Sequence, residues 1–326
     1  MEDKMINGET TYIYLLSDPM SQFTMLDLQM LNNVKLVNKH KLFKNKVLNI
    51  LSKGHLSLKA NKFISLPLKN IWYKKLLRYK SDKKVVVIMS PPWYDRQLIK
   101  FLRKNYFNCK LILHFHDIVA KDLKYNKQLK IERIKKDFDQ IIVYNQADAE
   151  TYGFVYHPVG YAPPSKEELK KYPYSDLVFI GAAKDRLDDI RNIYKRMTAA
   201  GLICDFYVTE VPNDQRRADG IIYGDKFLPY SECLAREAAS NCLLEILQGG
   251  SKGRTYRMMD AIIYNKKLIT NCEEIVRLPY YNENRIHFFN NINQISIDFV
   301  RNHKEIDYGY KNDFSNITFL NFIDSL

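Results

Sequence analysis

Short continuous apolar runs constrain the fold of this chain more than any other feature of its sequence. Residues Val85–Met89 are all Val, Ile or Met, and Ile141–Tyr144 is similarly apolar. A strand buried on both faces has this composition, because it lacks the polar residues that alternate along a strand with one face in water. Amphipathic segments separate these runs, and Asp95–Asn105 carries its leucines and its isoleucine on one helical stripe. The sequence therefore predicts an α/β fold with parallel sheets covered by helices.

A segment rich in Pro, Gly and Tyr interrupts the alternation of strands and helices at residues 155–174. Such a composition is typical of a linker, so the chain is expected to form two α/β domains. The predicted division has an N-terminal domain at 1–160, a linker at 161–174, a C-terminal domain at 175–300 and a tail at 301–326. The tail is free to pack back on the N-terminal domain.

Weaker patterns in the N-terminal half give further secondary-structure predictions. Apolar residues at helical spacing predict a helix over Gln22–Val37, and short strands are predicted at Val47–Leu51 and Phe63–Leu66. A single charged helix is predicted from about Asp122 to Phe138, between two apolar strands.

The positive charge of the chain is concentrated in residues 28–81. This segment contains no Asp or Glu and holds 13 of the 50 Lys and Arg residues. The remaining 37 basic residues are matched by 37 acidic ones, so the formal net charge of +13 arises from this segment alone. One concentrated basic segment predicts an anionic partner, such as a lipid headgroup surface, a phospholipid-linked acceptor or nucleic acid. A solvated lysine-rich face is the alternative, because Lys alone is a weak marker of binding.

The sequence predicts a cytoplasmic protein. No apolar run approaches the roughly 20 residues of a membrane span. The N-terminus lacks the apolar core and the small-residue cleavage site of a signal peptide. The five cysteines are scattered without a CxxC pair, which indicates reduced thiols. The basic segment 28–81 would also allow peripheral attachment of this cytoplasmic protein at the inner face of the membrane.

The stretch Leu243–Asn271 combines an apolar run, a glycine loop, a helical segment and a second apolar run. In a parallel sheet this order directs backbone N–H groups and a positive helix end towards an anion beyond the strand ends. Gly253 and Thr255 supply N–H and hydroxyl donors to a diphosphate, and Arg257 neutralises its charge. Glu245 helps to position the loop. The alternative is an ordinary capped amphipathic helix with no ligand.

A second candidate loop begins at Gly181, after an apolar run, and opens the next helical segment. Its small residues allow the backbone to approach a phosphate, and Arg186 can hold that phosphate. The alternative is an ordinary strand-to-helix turn with a surface arginine.

Polar residues end a strand in the N-terminal half, where His114, His116 and Asp117 form an HxHD sequence. His116 or Asp117 is a candidate general base. Buried hydrogen-bonding histidines are the alternative. No further ligands for a metal stand out near this sequence, and we assign no metal site. At the neighbouring strand end, Trp93 and Tyr94 are candidates for an aromatic wall of a binding site.

Several motifs in this order resemble one enzyme family. They are Phe179-Ile180-Gly181, Gly253-x-Thr255-x-Arg257-x-x-Asp260-Ala261, Lys266-Lys267-Leu268-Ile269-Thr270, and Asp148-x-x-x-Tyr152-Gly153 followed by Tyr156-x-Pro158. The family is that of GT-B-fold bacterial glycosyltransferases of lipopolysaccharide-core and surface-polysaccharide biosynthesis. The resemblance covers roughly residues 140–290. It implies an α/β GT-B fold, in which two Rossmann-like domains have parallel sheets that face an interdomain cleft.

The resemblance also implies a function. The chain would be a metal-independent glycosyltransferase that moves a hexose from a nucleotide-sugar, preferably a UDP-sugar, to a lipid-linked or surface-glycan acceptor in polysaccharide, lipopolysaccharide, capsule or exopolysaccharide synthesis. It would need no cofactor, because the donor is a substrate. His116 or Asp117 would be the general base for the acceptor hydroxyl, and Trp93 and Tyr94 would form a wall that stacks on the sugar or the acceptor. Asp260 stands where the family usually has Glu, whose carboxylate holds the donor ribose. The shorter side chain keeps the charge and implies either a shifted backbone or a different nucleotide position.

Two other functions remain open at this stage. One is a GT-B-like transferase of a non-sugar group, such as a pyruvyl or glycerol-phosphate unit. The other is a non-catalytic protein that binds nucleic acid through its basic segment. That segment lacks a recognised nucleic-acid motif, so nucleic acid is not the expected partner. A homodimer is also left open.

Overall fold

Two parallel sheets organise the chain, one in each of two units. The computed structural model describes residues 10–17, 20–39, 42–61, 66–77, 84–106, 108–247 and 255–326. Unit 1 comprises Met1–Ala162 together with Phe314–Leu326, and unit 2 comprises Pro163–Asp313. Among the described residues, each unit contains a six-stranded sheet in which every neighbouring pair of strands is parallel.

In the described part of unit 1, strands and α-helices alternate along most of the chain. Its strands are β1 (Thr10–Leu16), β2 (Val34–Asn38), β3 (Lys84–Met89), β4 (Lys110–Phe115), β5 (Gln140–Val143) and β6 (Val155–Tyr156). Its first helices are α1 (Ser21–Thr24), α2 (Leu26–Gln29), α3 (Lys46–His55), α4 (Asn70–Leu76), α5 (Arg96–Asn105), α6 (Val119–Tyr125), α7 (Ile131–Asp137) and α8 (Gln146–Tyr152). The sheet order is β2-β1-β3-β4-β5-β6.

Unit 2 repeats this plan. Its strands are β7 (Ser175–Ala182), β8 (Cys204–Thr209), β9 (Ile222–Gly224), β10 (Ser240–Glu245), β11 (Lys267–Thr270) and β12 (Ile286–Phe288), in the order β12-β11-β10-β7-β8-β9. Its helices are α9 (Leu187–Ala199), α10 (Tyr230–Ala239), α11 (Tyr256–Ile263) and α12 (Ile297–Arg301). The last helix, α13 (Asn316–Ser325), belongs to unit 1.

The apolar run of β3 is buried on both faces, as its composition predicts. Val85, Val87 and Met89 pack in one core cluster, whereas Val86 and Ile88 pack in another. Successive side chains of a strand point to opposite faces of its sheet, so a run without polar residues requires cover on both sides. The sheet thus separates two apolar layers.

The helix α13 provides part of the second layer of unit 1. Phe319, Leu320 and Ile323 are buried against residues of the sheet. The carboxylate of Asp27 accepts hydrogen bonds from the Ser315 hydroxyl at 2.7 Å and from the Asn316 backbone N–H at 2.7 Å. These groups lie at the start of α13, where backbone N–H groups have no partner inside the helix. Asp27 therefore fixes the start of the last helix on unit 1.

The segment Gln22–Val37 does not form the single helix that its apolar pattern predicts, because part of it pairs with the sheet as an edge strand. Only its first part is helical, in α1 and α2, and Val34–Asn38 is the edge strand β2. This strand pairs in parallel with Tyr12–Leu16 of β1. Its helical apolar pattern was misleading, because pairing with a sheet edge decides the conformation of such a short segment.

Two other local predictions are also corrected. Val47–Leu51, a predicted strand, lies within α3, and residues 63–65 of the other predicted strand, Phe63–Leu66, lie outside the described residues. The single helix predicted from Asp122 is instead α6 and α7. Asn126 ends the first of them, because its buried side-chain amide donates to the carbonyls of Pro91 and Tyr94 at 3.1 and 3.2 Å.

Replacing Asp27 with Ala should lower the free energy of unfolding by about 2 kcal/mol, because hydrogen bonds to a charged group contribute roughly this much. Urea denaturation of the variant and of the parent protein measures the difference. Asp298→Ala is the control, since this carboxylate is almost fully exposed and pairs only with Arg301 three residues away. Equal losses in the two variants would contradict the role given to Asp27.

Candidate functional site

Arg186 and Arg257 meet at the carboxyl ends of two adjacent strands of unit 2. Arg257 is the second residue of α11, and its guanidinium donates to the carbonyl oxygens of Ile180 in β7 and Leu244 in β10, the latter at 3.2 Å. It also donates to a carboxylate oxygen of Glu237 at 3.2 Å. The side chain is thus held against both strand ends.

Arg186 approaches the same place from the start of α9. Its guanidinium donates to the carbonyl oxygen of Ile246 and, at 3.0 Å, to that of Ala182. The guanidinium carbons of Arg186 and Arg257 lie 5.7 and 5.3 Å from the centre of the Phe179 ring. Two arginines therefore share one aromatic ring, in the arrangement of a cation–π contact.

The electrostatics of this pair favour an anion nearby. Burial lowers the pKa of Arg186, and the positive charge of Arg257 lowers it further. The Nε of Arg186 is buried and has no hydrogen-bond partner among the described residues, and neither has the buried hydroxyl of Thr209 at the end of β8. Buried polar groups are rarely left unpaired. An anion at these strand ends would relieve the repulsion between the two arginines.

Thr255 and Glu245 hold the start of α11. Thr255 is the N-cap of this helix, because its side-chain oxygen accepts a hydrogen bond from the Met258 N–H at 3.2 Å. The Thr255 hydroxyl in turn donates to one oxygen of the buried Glu245 carboxylate. The other oxygen accepts from the Thr270 hydroxyl at 2.6 Å. Glu245 therefore ties the helix start to β11, which is the geometry that a positioning residue requires.

Three donor-site candidates remain, namely Gly181, Asp260 and Gly253. Gly181 lies in β7 beside Arg186, and a Cβ added there would meet the Arg186 and Phe179 side chains at 3.6 Å, an ordinary contact. Asp260 is buried in the second turn of α11, away from the helix start that carries Thr255 and Arg257. Gly253 lies outside the described residues, within 248–254.

In unit 1, the two histidines of the HxHD sequence form a polar cluster with Tyr14. The Tyr14 hydroxyl lies 2.5 Å from Nδ1 of His114 and 2.9 Å from Nε2 of His116, and these two nitrogens are 3.0 Å apart. Burial lowers the pKa of His116 to about 4 and that of His114 well below its usual value. Both rings are therefore neutral at pH 7. This is the arrangement of buried hydrogen-bonding histidines.

Two carboxylates follow this cluster in the sequence. Asp117 is partly exposed, forms an ion pair with Lys121 and accepts a hydrogen bond from the Ile118 N–H at 2.9 Å. Asp122, which we did not single out in the sequence, is half-buried, and burial followed by the charge of Asp117 raises its pKa to about 7. The sequence signal for this group would have been a second Asp five residues after the strand-end Asp117. No three His, Cys, Asp or Glu side chains in the described part of the chain converge in a way that would hold a metal ion.

Trp93 and Tyr94 do not form the predicted wall for a sugar. They are 3% and 0% exposed, and both pack in the core of unit 1. The Trp93 indole donates to the Leu16 carbonyl at 2.6 Å, and the Tyr94 hydroxyl donates to Asp137 at 2.5 Å. The tight turn Pro91–Trp93 directs these rings inward, so neither offers a face for stacking.

Comparison with known proteins gives matches at the level of structure only. Neither a scan against models of protein families nor a search of curated proteins finds a match. Trehalose-6-phosphate synthase matches with a TM-score of 0.53 and 9% identity, over 97% of this chain and 99% of that chain. A UDP-forming α,α-trehalose-phosphate synthase from Burkholderia xenovorans has a TM-score of 0.48 and 10% identity, over 97% and 98%. An α-glucosyltransferase in complex with UDP-glucose and DNA containing an abasic site has a TM-score of 0.48 and 11% identity, over 80% and 79%.

The first of these matches extends over nearly the whole of both chains and shows a shared fold. At 9% identity it carries no information about individual side chains. Together with the two six-stranded parallel sheets, it confirms the predicted fold class, an α/β chain of the GT-B type with two Rossmann-like domains.

Replacing Asp122 with Asn should change stability in a pH-dependent way. A carboxyl whose pKa is about 7 when folded and 3.8 in its reference state destabilises the fold once it is ionised, so the parent protein loses stability as pH rises through this window. The variant should therefore be more stable than the parent above pH 7, by on the order of 1 kcal/mol after allowance for solvent screening.

The two proteins should have equal stability below about pH 4, where the carboxyl is protonated in both the folded and unfolded states. Urea denaturation at several pH values measures the difference. A difference that stays constant across the range would contradict the pKa assignment.

Proposed function

We propose that the protein is a glycosyltransferase that moves a hexose from a nucleotide-sugar, with UDP-sugars as the first candidates, to a lipid-linked or surface-glycan acceptor. The observation that supports this proposal most directly is the meeting of Arg186 and Arg257 at the carboxyl ends of β7 and β10. Ligands of open parallel sheets bind beyond these strand ends. The site lies in the second of two Rossmann-like units, where the family resemblance implies the donor nucleotide.

The chemistry of the leaving group fits two arginines. A nucleoside diphosphate gains negative charge as the bond to the sugar breaks, and cations that are already in place stabilise that charge more in the transition state than in the ground state. Arg186 and Arg257 are fixed by carbonyl oxygens before any ligand arrives, so little reorganisation is required. In this proposal they supply the positive charge, and donor binding needs neither a bound metal nor a cofactor.

We further propose roles for the two remaining donor-site candidates. The Asp260 carboxylate would accept hydrogen bonds from the ribose hydroxyls, with Asp in place of the longer Glu of the family. Gly253 would offer its backbone N–H to a phosphate, and Gly181 would leave room for the diphosphate beside Arg186.

The acceptor hydroxyl must lose a proton during transfer, and we propose the Asp117–Asp122 pair for this step. A general base acts best when its pKa is close to the working pH, which burial and the neighbouring carboxylate achieve for Asp122. His116, our other candidate, has a pKa of about 4 and is a weak base at neutral pH.

The charge of segment 28–81 supports an anionic membrane surface, or the phosphates of a lipid-linked acceptor, as its partner. Not every lysine contributes, because Lys35 and Lys39 donate to carbonyl oxygens and Lys69 is buried against Asp95. Five others are exposed, namely Lys44, Lys46, Lys59, Lys74 and Lys75. Among the described residues no helix is both long and apolar enough to cross a membrane. We therefore propose peripheral attachment from the cytoplasmic side.

A thermal-shift screen across nucleoside diphosphates and nucleotide-sugars tests the donor assignment. UDP or a UDP-sugar at about 100 times its dissociation constant should stabilise the protein by roughly 2.7 kcal/mol and raise the melting temperature by several degrees. Arg186→Gln should remove most of this shift, because it removes the charge next to the diphosphate.

Arg191→Gln is the matched control, since this arginine lies on α9 but contacts Tyr223 and Gln215 instead of the candidate site. Stabilisation by another nucleoside diphosphate would replace UDP in the proposal. Equal nucleotide-induced shifts of the melting temperature in both variants would show that the nucleotide does not bind at Arg186. The absence of a shift with every nucleotide would contradict the proposed function.

A further inference from the structure

Helix α3 exposes its apolar side chains to solvent. Val47, Ile50 and Leu51 are 65%, 69% and 56% exposed. Their spacing of three and four residues places them on one face of the helix. A helix at the surface of a globular protein normally turns such a stripe towards the core.

Polar contacts hold the opposite face of α3 on unit 1. The Asn49 side-chain oxygen accepts hydrogen bonds from the backbone N–H groups of Leu42 and Phe43 at 2.9 and 3.3 Å. Ser52 is fully buried. At the end of the helix, Nδ1 of His55 lies 2.8 Å from the indole nitrogen of Trp72 in α4, and this indole donates the hydrogen bond. The helix therefore turns polar side chains inward and an apolar stripe outward.

The charged residues close to this stripe in the sequence are all basic. Lys44 and Lys46 are exposed at the start of α3, and Lys53 is partly exposed near its end. No acidic residue occurs anywhere in segment 28–81. An apolar stripe bordered by lysines is typical of a helix that lies in the interface of an anionic bilayer. In such a helix, the anionic headgroups attract each lysine, and the apolar stripe reaches the boundary of the acyl chains.

We propose that α3 is a membrane-interface helix, in which Val47, Ile50 and Leu51 insert below the headgroups of an anionic phospholipid bilayer. The flanking lysines contact the headgroup phosphates. This inference rests on the proposed function in one respect: membrane attachment would bring the enzyme to a lipid-linked acceptor at that surface. The membrane contact itself follows from the orientation and charge of the helix.

Vesicle co-sedimentation tests the proposal with the full chain. Wild-type protein should bind vesicles containing phosphatidylglycerol and bind pure phosphatidylcholine vesicles much less. The triple variant Val47→Ser, Ile50→Ser, Leu51→Ser should lose ~100-fold in affinity, because three buried apolar side chains are removed. Lys44→Gln with Lys46→Gln should weaken binding to the anionic vesicles and reduce its dependence on salt.

A matched control uses three exposed apolar residues of unit 2, Ile203→Ser, Ile222→Ser and Phe227→Ser, which should leave vesicle binding unchanged. Circular dichroism and the melting temperature establish that each variant is folded. The proposal is overturned if wild-type protein does not bind anionic vesicles, or if the α3 variant binds as the parent does. It is also overturned if the wild-type chain is a dimer in solution that only the α3 triple variant dissociates, because the stripe would then be a contact between two copies.

The nucleotide screen separates this inference from the proposed function. A UDP-induced shift that the α3 variant retains, together with unchanged vesicle binding, would reject the membrane helix alone. Vesicle binding that requires the stripe, without any nucleotide-induced shift, would support the helix and reject the glycosyltransferase.

Discussion

The guanidinium of Arg257 joins three elements of unit 2 near the carboxyl end of its sheet. It donates to the carbonyl oxygens of Ile180 in β7 and Leu244 in β10, and it pairs with Glu237 of α10. Buried backbone carbonyl groups need hydrogen-bond donors, and the guanidinium supplies them here. The same side chain thus connects two strands and a helix, and it brings positive charge to the place where an anionic ligand would bind.

This double role affects how the site can be studied. Glu237 is buried, and removal of Arg257 would leave its carboxylate without its cation, which costs several kcal/mol in comparable buried pairs. A simple truncation of Arg257 would therefore confuse loss of fold with loss of function. Arg186 donates to the carbonyl oxygens of Ala182 and Ile246 and lies over the Phe179 ring, so its replacement separates the two effects better.

Buried polar groups shape unit 1 in a comparable way. Lys69 is buried against Asp95, and burial lowers the pKa of the nearby Lys39 to about 8. A count of lysines along the sequence treats these residues as surface charge, although the fold uses them internally. The histidines near Tyr14 are a similar case, because burial lowers the pKa of both rings and keeps them neutral at pH 7.

The sequence predicted what depends on strong local patterns. The β-branched run of β3 and the strand–loop–helix order after β10 gave the parallel sheets. They also placed Arg186 and Arg257 in segments that follow parallel strands, and the structure shows that both guanidinium groups lie over the Phe179 ring. The predictions that were wrong concern segments whose conformation depends on contacts distant in sequence. The edge strand Val34–Asn38 forms because β1 is available for pairing, and the break at Asn126 depends on carbonyls of another segment.

The sequence also could not predict that the rings of Trp93 and Tyr94 face the core, or that the apolar stripe of α3 faces solvent. The reason is related. Apolar composition alone does not tell which side of an element faces the core, and the polar partners that decide it lie elsewhere in the chain. Trp93 turns inward to donate to Leu16, whereas Asn49 turns inward in α3 and leaves the apolar stripe outside. Both depend on hydrogen bonds that have no signature in a single sequence.

In the proposed function, a nucleoside diphosphate binds at the carboxyl ends of β7 and β10. Hydrogen–deuterium exchange with and without saturating UDP tests this claim, because a bound ligand slows exchange of the amides that it covers or stabilises. Protection should concentrate in the segments around Ala182–Leu187 and Thr255–Met259, while the amides near His116 in unit 1 change little. Protection confined to other segments, or identical exchange with and without UDP, would contradict the claim.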